Sequence, residues 1–259
     1  MKIKFGPAGL GGVKEAEENL EAFYRAGLRV CEIAFTYSVY IKEEGDAVWI
    51  GAKARELGIE LTVHAPYFVN LNSDDAEKRE ASKKRILECC RVGELMGATL
   101  VVFHPGFYGK DREGAYDRIK EGIVEMMEVI EKKGWGIKLA PETMGKVNVF
   151  GNVEEISKLV EDTGCGFCID FSHILARDKE IDMERIERAF PWKEWHCHFS
   201  GIEYGEKGEK HHKMSEKENW RELLKKLPED REITIVCEDP DPPAGAVLGL
   251  ETYEEMGKS

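Results

Sequence analysis

Thr99-Leu100-Val101-Val102-Phe103-His104 is a short β-branched run that stops on a histidine. Five other segments are built the same way: Glu60-Leu61-Thr62-Val63-His64, Ile137-Lys138-Leu139-Ala140-Pro141-Glu142, Gly166-Phe167-Cys168-Ile169-Asp170, Trp195-His196-Cys197-His198 and Ile233-Thr234-Ile235-Val236-Cys237-Glu238. In chain order their last residues are 40, 38, 28, 28 and 40 positions apart, the length of a strand plus a helix. Parallel strands wound into a barrel bring their C-terminal ends to one face, so residues remote in the chain converge there. Three histidines and three carboxylates at one mouth read as a metal site. A metal there suggests hydrolysis or isomerisation.

The rest of the chain keeps the same alternation. Further strands are expected at 2–5 and 29–35. Helices are expected at 13–26, 46–57, 75–96, 113–133, 153–162 and 182–189, with another from about 218. Asn72-Ser73-Asp74-Asp75 supplies capping chemistry for the third helix. Gly27, Gly58, Gly97, Gly134 and Gly164 each stand after a helix and before a strand, where a C-terminal cap glycine belongs. Residues 248–259 are expected to be a short helix or a loose tail. Eight strands alternating with helices predict one (β/α)8 TIM barrel over residues 1–259, with the metal site at the C-terminal ends of its strands.

Composition agrees. The chain has 259 residues, close to the roughly 250 of such barrels. It has no apolar run long enough to span a bilayer, and it opens directly into a strand without a signal-like segment, so a cytoplasmic protein is expected. The seven cysteines fall mainly in apolar patterns, and the pair Cys165-Gly-Phe-Cys168 has no second partner pair, so packing is the expected role. Abundant Glu, Lys and Arg with no glutamine is a composition seen in heat-adapted proteins. A net charge of −13, from 37 basic and 50 acidic residues, disfavours a nonspecific nucleic-acid binder. Contact with nucleic acid would need a local basic patch at the mouth.

The candidate ligands are His64, His104, Glu142, Asp170, His198 and Glu238, joined by His173 and by Glu209-Lys210-His211-His212 in the loop after His198. They exceed the needs of one ion. A carboxylate such as Glu142 can bridge two ions about 3.5–4 Å apart. Imidazole mixed with carboxylate suits zinc, manganese or iron. His196 is expected to lie deeper, as a structural residue or behind the ligands, and Glu32 on strand 2 either joins it there or pairs with a lysine. A lone strand-end histidine is ordinarily structural; six strand ends of one kind are not independent accidents.

These residues resemble the endonuclease IV family of apurinic/apyrimidinic endonucleases. The resemblance is carried by Val63-His64-Ala-Pro-Tyr67-Phe-Val-Asn-Leu71, Phe103-His104-Pro-Gly106, Pro141-Glu142-Thr143, Cys168-Ile-Asp170-Phe-Ser-His173, His198-Phe-Ser and Cys237-Glu238-Asp-Pro-Asp-Pro242. It implies a TIM barrel holding two or three zinc ions, with manganese or iron as alternatives. His64, His104 and Glu142 would hold the first, Glu142, Asp170, His198 and Glu238 the second, and His173, Glu209 and His211 the third, with His212 replacing His211 if the loop shifts. The implied reaction is phosphodiester hydrolysis 5′ to abasic sites in DNA, with Glu142 and Glu238 at the catalytic centre and Tyr67 entering the DNA groove. No membrane partner is implied, and a monomer is expected.

Lys110, Lys146, Arg177, Lys207 and Lys210 are the candidates for phosphate contact. The chain also departs from the family. Gly6-Pro7-Ala8-Gly9 lacks its histidine and serine, Thr36-Tyr37-Ser38-Val39-Tyr40 has tyrosines where the family has polar and arginine residues, and Glu209 replaces an aspartate. Two other readings remain. One is a single-ion sugar isomerase or epimerase using a set like Glu142, Asp170, His198 and Glu238. The other is a non-catalytic, metal-stabilised binding barrel. The surplus ligands His64, His104, His173 and His211 argue against the isomerase.

Overall fold

The computed structural model describes residues 2–257. In chain order the elements are β1 (Lys2–Pro7), α1 (Ala16–Arg25), β2 (Val30–Ala34), α2 (Glu44–Leu57), β3 (Glu60–His64), α3 (Ala76–Met96), β4 (Leu100–Phe103), α4 (Ala115–Lys133), β5 (Lys138–Pro141), α5 (Val153–Thr163), β6 (Ile169–Asp170), α6 (Phe171–Asp178), α7 (Met183–Ala189), β7 (Glu194–Phe199), β8 (Gly201–Gly205), β9 (Gly208–Lys213), α8 (Lys217–Lys226), β10 (Glu232–Cys237) and α9 (Pro242–Glu255). The parallel strands form two runs, β1-β10-β7-β6 and β2-β3-β4-β5. Single parallel bridges, Ala8 with Glu32 and Glu142 with Cys168, join the runs and close an eight-stranded barrel. Both seams lie at the mouth, beside residues expected to serve the metal.

Strands covered on both sides read as continuous apolar runs. β2 and β3 are buried along nearly their whole length. Helices pack one stripe inward: α5 buries Val153, Ile156, Leu159 and Val160. It starts at a capping box in which the Asn152 side chain accepts from Glu155 N and Glu155 reaches back to Asn152 N. Such a cap contributes about 1 kcal/mol. α3 is capped by Asp75, as expected. Gly58, Gly97, Gly134 and Gly164 close their helices in the left-handed conformation. All seven cysteines are buried and unpaired. Among the described residues no helix is long and apolar enough to cross a membrane.

Three differences from the expected elements matter for the site. β6 is only two residues long, because α6 begins at once: Asp170 is the N-cap of α6, and its Oδ1 accepts from His173 N at 2.7 Å. The segment after β7 is an antiparallel hairpin, β8–β9. The final helix, α9, opens at Pro242, earlier than the short helix or tail expected at 248–259, of which Lys258 and Ser259 lie outside the described residues.

The hairpin is tied down at both ends. At its base Asp239 accepts from Gly201 N (3.0 Å), Ser215 N (3.0 Å) and Ser215 Oγ (2.6 Å). At its tip Glu209 N donates to Gly145 O at 3.2 Å. Gly208 has φ +93, and a Cβ there would sit 2.1 Å from Gly145 O. Only glycine allows this approach.

Candidate metal centre

The barrel ladder sets the height of the strand-end side chains. His64 lies level with Val102 of β4 and Ala34 of β2, and His198 lies level with Asp170 of β6 and Val236 of β10. Glu142 N donates to Phe103 O at 3.1 Å, which sets Glu142 at the top of β5.

Glu142 is fully buried and is the centre of the arrangement. Its Oε2 lies 3.2 Å from His64 Nε2 and 3.0 Å from His104 Nε2. Its Oε1 lies 3.2 Å from His173 Nδ1 and 3.4 Å from His198 Nδ1. One carboxylate thus faces two separate sets of donors. Among the described residues five groups have ligand atoms within 4.8 Å of one another; three of them are His64, His104 and Glu142; Glu142, Asp170, His198 and Glu238; and His173, Glu209 and His212.

The donors fit a cation for a reason visible in their hydrogen bonds. Glu142 Oε1, Asp170 Oδ2 and His198 Nδ1 are buried without a hydrogen-bond partner. Each such atom costs about 1–3 kcal/mol unless something satisfies it. The imidazoles are also oriented. A carbonyl can only accept, so His64 Nδ1 donates to Ala65 O (2.7 Å), His173 Nδ1 to Thr143 O (3.0 Å) and His212 Nδ1 to Glu238 O (3.2 Å). In the neutral rings this leaves Nε2 with the free lone pair of a metal ligand.

Electrostatics point the same way. Burial would raise the Glu142 carboxyl, but His104, His173 and His198 hold it well below the usual carboxylate range. Burial opposes charge on His64, yet Glu142 pushes it up to about 9. Burial lowers His104, outweighing Glu142. Burial lifts Asp170 to about 6, with help from Glu142 and Glu238. Without a cation, protons on the imidazoles balance the carboxylates. Metal binding would displace those protons.

Glu32 on β2 stands behind His198. Its Oε2 accepts from Thr62 Oγ1 at 2.9 Å and faces His196 Nε2 at 3.1 Å, while its Oε1 stands 3.0 Å from His198 Nε2. A carboxylate there favours the proton on Nε2 and turns the Nδ1 lone pair toward Glu142 and Glu238. His196 lies in this deeper layer, as does Cys168, whose Sγ is within 4.8 Å of ring nitrogens of His196 and His198. Cys168 precedes β6, which pairs directly with β7, and this pairing brings its thiol beside the two rings.

The structure brings together His64, His104, Glu142, Asp170, His173, His198, Glu209 and Glu238. His211 is not with them. Its side chain is 63% exposed and faces Glu203 at 3.3 Å, and His212 stands in the group instead. The cause is a β-bulge. Residues of one face alternate along a regular strand, which would place Glu209 with His211. Here Glu209 pairs with Tyr204 but His211 pairs with Glu203, so Lys210 is the extra residue. The bulge transfers the inward face to His212.

The cluster opens into a cavity of about 1000 Å³. Tyr67 lies on its wall, 5.7 Å from the rings of both His64 and His104. Lys146 is also on the wall, whereas Lys110 and Lys207 are exposed outside it. Arg177 donates to the carbonyls of Met144, Lys146 and Val149 and to the Tyr108 hydroxyl, which makes it a structural tie of the loop after β5. Lys210 pairs with Glu203 at 3.0 Å.

A family model described as "Xylose isomerase-like TIM barrel" matches residues 20–256. An uncharacterized protein of Methanocaldococcus jannaschii is 35% identical, the match covering 99% of this chain and 98% of that one. A probable endonuclease 4 of Acholeplasma laidlawii is 35% identical over 134 residues, 48% of this chain and 45% of the relative, so the match spans less than half the length of that protein. Among solved structures, endonuclease IV from Thermus thermophilus superimposes with a TM-score of 0.74 at 22% identity, covering 98% of this chain and 100% of that chain. D-psicose 3-epimerase from Clostridium cellulolyticum superimposes with 0.68 at 16% identity, covering 99% and 97%. At these identities the structural likeness speaks for the fold. A nuclease and an epimerase share it, so the donor groups must argue the chemistry.

Proposed function

We propose, from the premise that this chain belongs to the xylose isomerase-like TIM-barrel family, that it is a multinuclear metal-dependent phosphodiesterase of the endonuclease IV kind, acting on DNA at abasic sites. The observation that carries this is the Glu142 carboxylate, with one oxygen toward Nε2 of His64 and His104 and the other toward Nδ1 of His198, in the group with Asp170 and Glu238. A one-ion isomerase would be served by Glu142, Asp170, His198 and Glu238. It would leave His64, His104 and the group His173, Glu209 and His212 without a purpose.

In this reading the three donor groups hold three ions, with zinc the best match to the donors. Bound divalent ions supply a low-pKa water and neutralise charge on the phosphate. The protein does the rest. Glu142 sets the spacing of the inner sites. The Glu238 carboxylate, 17% exposed, reaches the cavity and would orient the attacking water. Tyr67 would orient the strand above His64 and His104. The chain would act as one domain over residues 1–259 and as a monomer.

The test is a metal count on the purified protein, followed by assays on abasic-site DNA and on a panel of ketoses. Three ions and strand cleavage are expected. One ion with sugar turnover would sink the proposal, and full metal occupancy with neither activity would favour a binding role.

A further inference from the structure

The mouth is apolar and aromatic where a duplex-binding surface would be cationic. Among the described residues, Lys146 is the one lysine or arginine on the cavity wall, and Glu209, Glu238 and Asp239 share that wall. Four cations on the surrounding loops are engaged within the protein, whereas Lys110 and Lys207 are exposed outside the cavity. Arg177 and Lys179 donate to backbone carbonyls, Arg112 lies 3.7 Å over the Tyr108 ring, and Lys210 pairs with Glu203. The whole chain carries −13. Affinity for duplex DNA rests on neutralising many phosphates, and the mouth offers one lysine for this.

The wall offers rings instead. Tyr37 is 79% exposed, Tyr67 51% and Phe107 48%. The side chains of Tyr37 and Phe107 have no ring, cation or hydrogen-bond partner among the described residues. Exposed aromatic rings around a charged reaction centre suit a ligand with flat apolar faces. Nucleobases have such faces and stack on aromatic side chains whatever their identity. In a duplex those faces are already stacked on neighbouring bases. The cavity of about 1000 Å³ lies at the top of the small-ligand range of about 300–1000 Å³, enough for a few nucleotides and too small for a double helix.

We infer that the site takes unpaired DNA, a single strand or an opened loop, with bases stacked on Tyr37 and Phe107 and the phosphodiester laid across the donor cluster beside Tyr67. This rests on the phosphodiesterase reading and narrows its substrate. Lys146 supplies the one close phosphate contact.

The test uses the metal-loaded protein. Fluorescence anisotropy compares labelled dT12 with a 12-base-pair duplex. Hydrolysis assays compare an abasic-site strand alone, the same strand annealed to its complement, and bis(p-nitrophenyl) phosphate. The single strand is expected to bind and react at least about tenfold better than the duplex. Raising salt from 50 to 200 mM should weaken its binding only about threefold, as one phosphate contact predicts. Tyr37→Ala and Phe107→Ala should each weaken dT12 binding about tenfold, with metal content and Tm held. Equal or better binding and cleavage of the duplex overturns the inference and leaves the phosphodiesterase reading standing. So does hydrolysis of the simple diester without cleavage of either DNA. Hydrolysis of none of the three overturns the phosphodiesterase reading and this inference with it.

Discussion

His64, His104 and Glu142 are carried by the ends of three adjacent barrel strands, whereas Glu209 and His212 are carried by a hairpin that leaves the barrel after β7. The strand-borne donors take their positions from parallel ladders that the whole barrel shares. The hairpin donors take theirs from one bulged residue, Lys210, and from contacts at Gly208 and Asp239. Ligands on the barrel can be moved only by disturbing the fold. Ligands on the hairpin can be moved by a local change of register. This difference is a basis for separating inner metal chemistry from the outer site.

The largest effect is expected at the shared carboxylate. Glu142→Gln puts an amide NH2 where one oxygen faced a ligand group, so it should abolish hydrolysis and release metal from both inner groups. Metal analysis beside the activity assay checks this, and near-normal activity would refute the bridging role. On the hairpin, His212→Ala should remove one ion per chain and lower activity at least about tenfold, while His211→Ala leaves both within about twofold. The opposite pattern would mean that the bulge assignment is wrong. Gly208→Ala, whose Cβ would meet Gly145 O at 2.1 Å, should act as a milder His212 variant, losing outer metal but keeping inner metal. Loss of all metal in that variant would show that the two regions are not separable.

Smaller effects should come from behind the ligands. Glu32→Gln should weaken inner-site metal affinity about 10–100-fold by loosening His198, with the hairpin ion unaffected. Metal titration of the variant checks it; unchanged affinity would remove Glu32 from the site. Acidity should act on the barrel ligands too. His64 in the metal-free protein titrates near 9 and must lose its proton to bind metal. Zinc affinity of the inner sites should therefore rise with pH below about 9, by up to about tenfold per unit for this one proton. For stability the sign reverses. The charged His64–Glu142 pair helps the metal-free fold fully below the unfolded histidine value of about 6.5, and that help is lost as pH rises through about 9. Melting of the metal-free protein at pH 6 and pH 9.5 measures it, and a higher Tm at 9.5 would contradict the pairing.

Legibility in the sequence follows the same division. The strand-end residues were legible because a β-branched run ending on a ligand, repeated at strand-plus-helix spacing, rarely arises except in a barrel with its donors at one mouth. Five glycines after helices marked the opposite face, and all five have left-handed backbone there. The start of α6 was not legible, because Asp170 looks like a strand end and is also the cap that starts the helix. The expected set Glu209 and His211 failed at its second member because alternation in a strand is a period-two rule and one bulged residue reverses it. Lys110 and Lys207 were chosen by charge alone, which says nothing of distance from the cavity.

The amino-acid order by itself determined the barrel and the row of strand-end residues able to serve as donors, because these depend on periodicity and residue type. Tertiary structure alone decided that Glu142 faces two donor groups, that Glu32 backs His198, and that His212 displaces His211. Each of those depends on which atom of a side chain points where. That is set by barrel closure and by a bulge, both of which join residues that are distant in the chain or shift them by a single position.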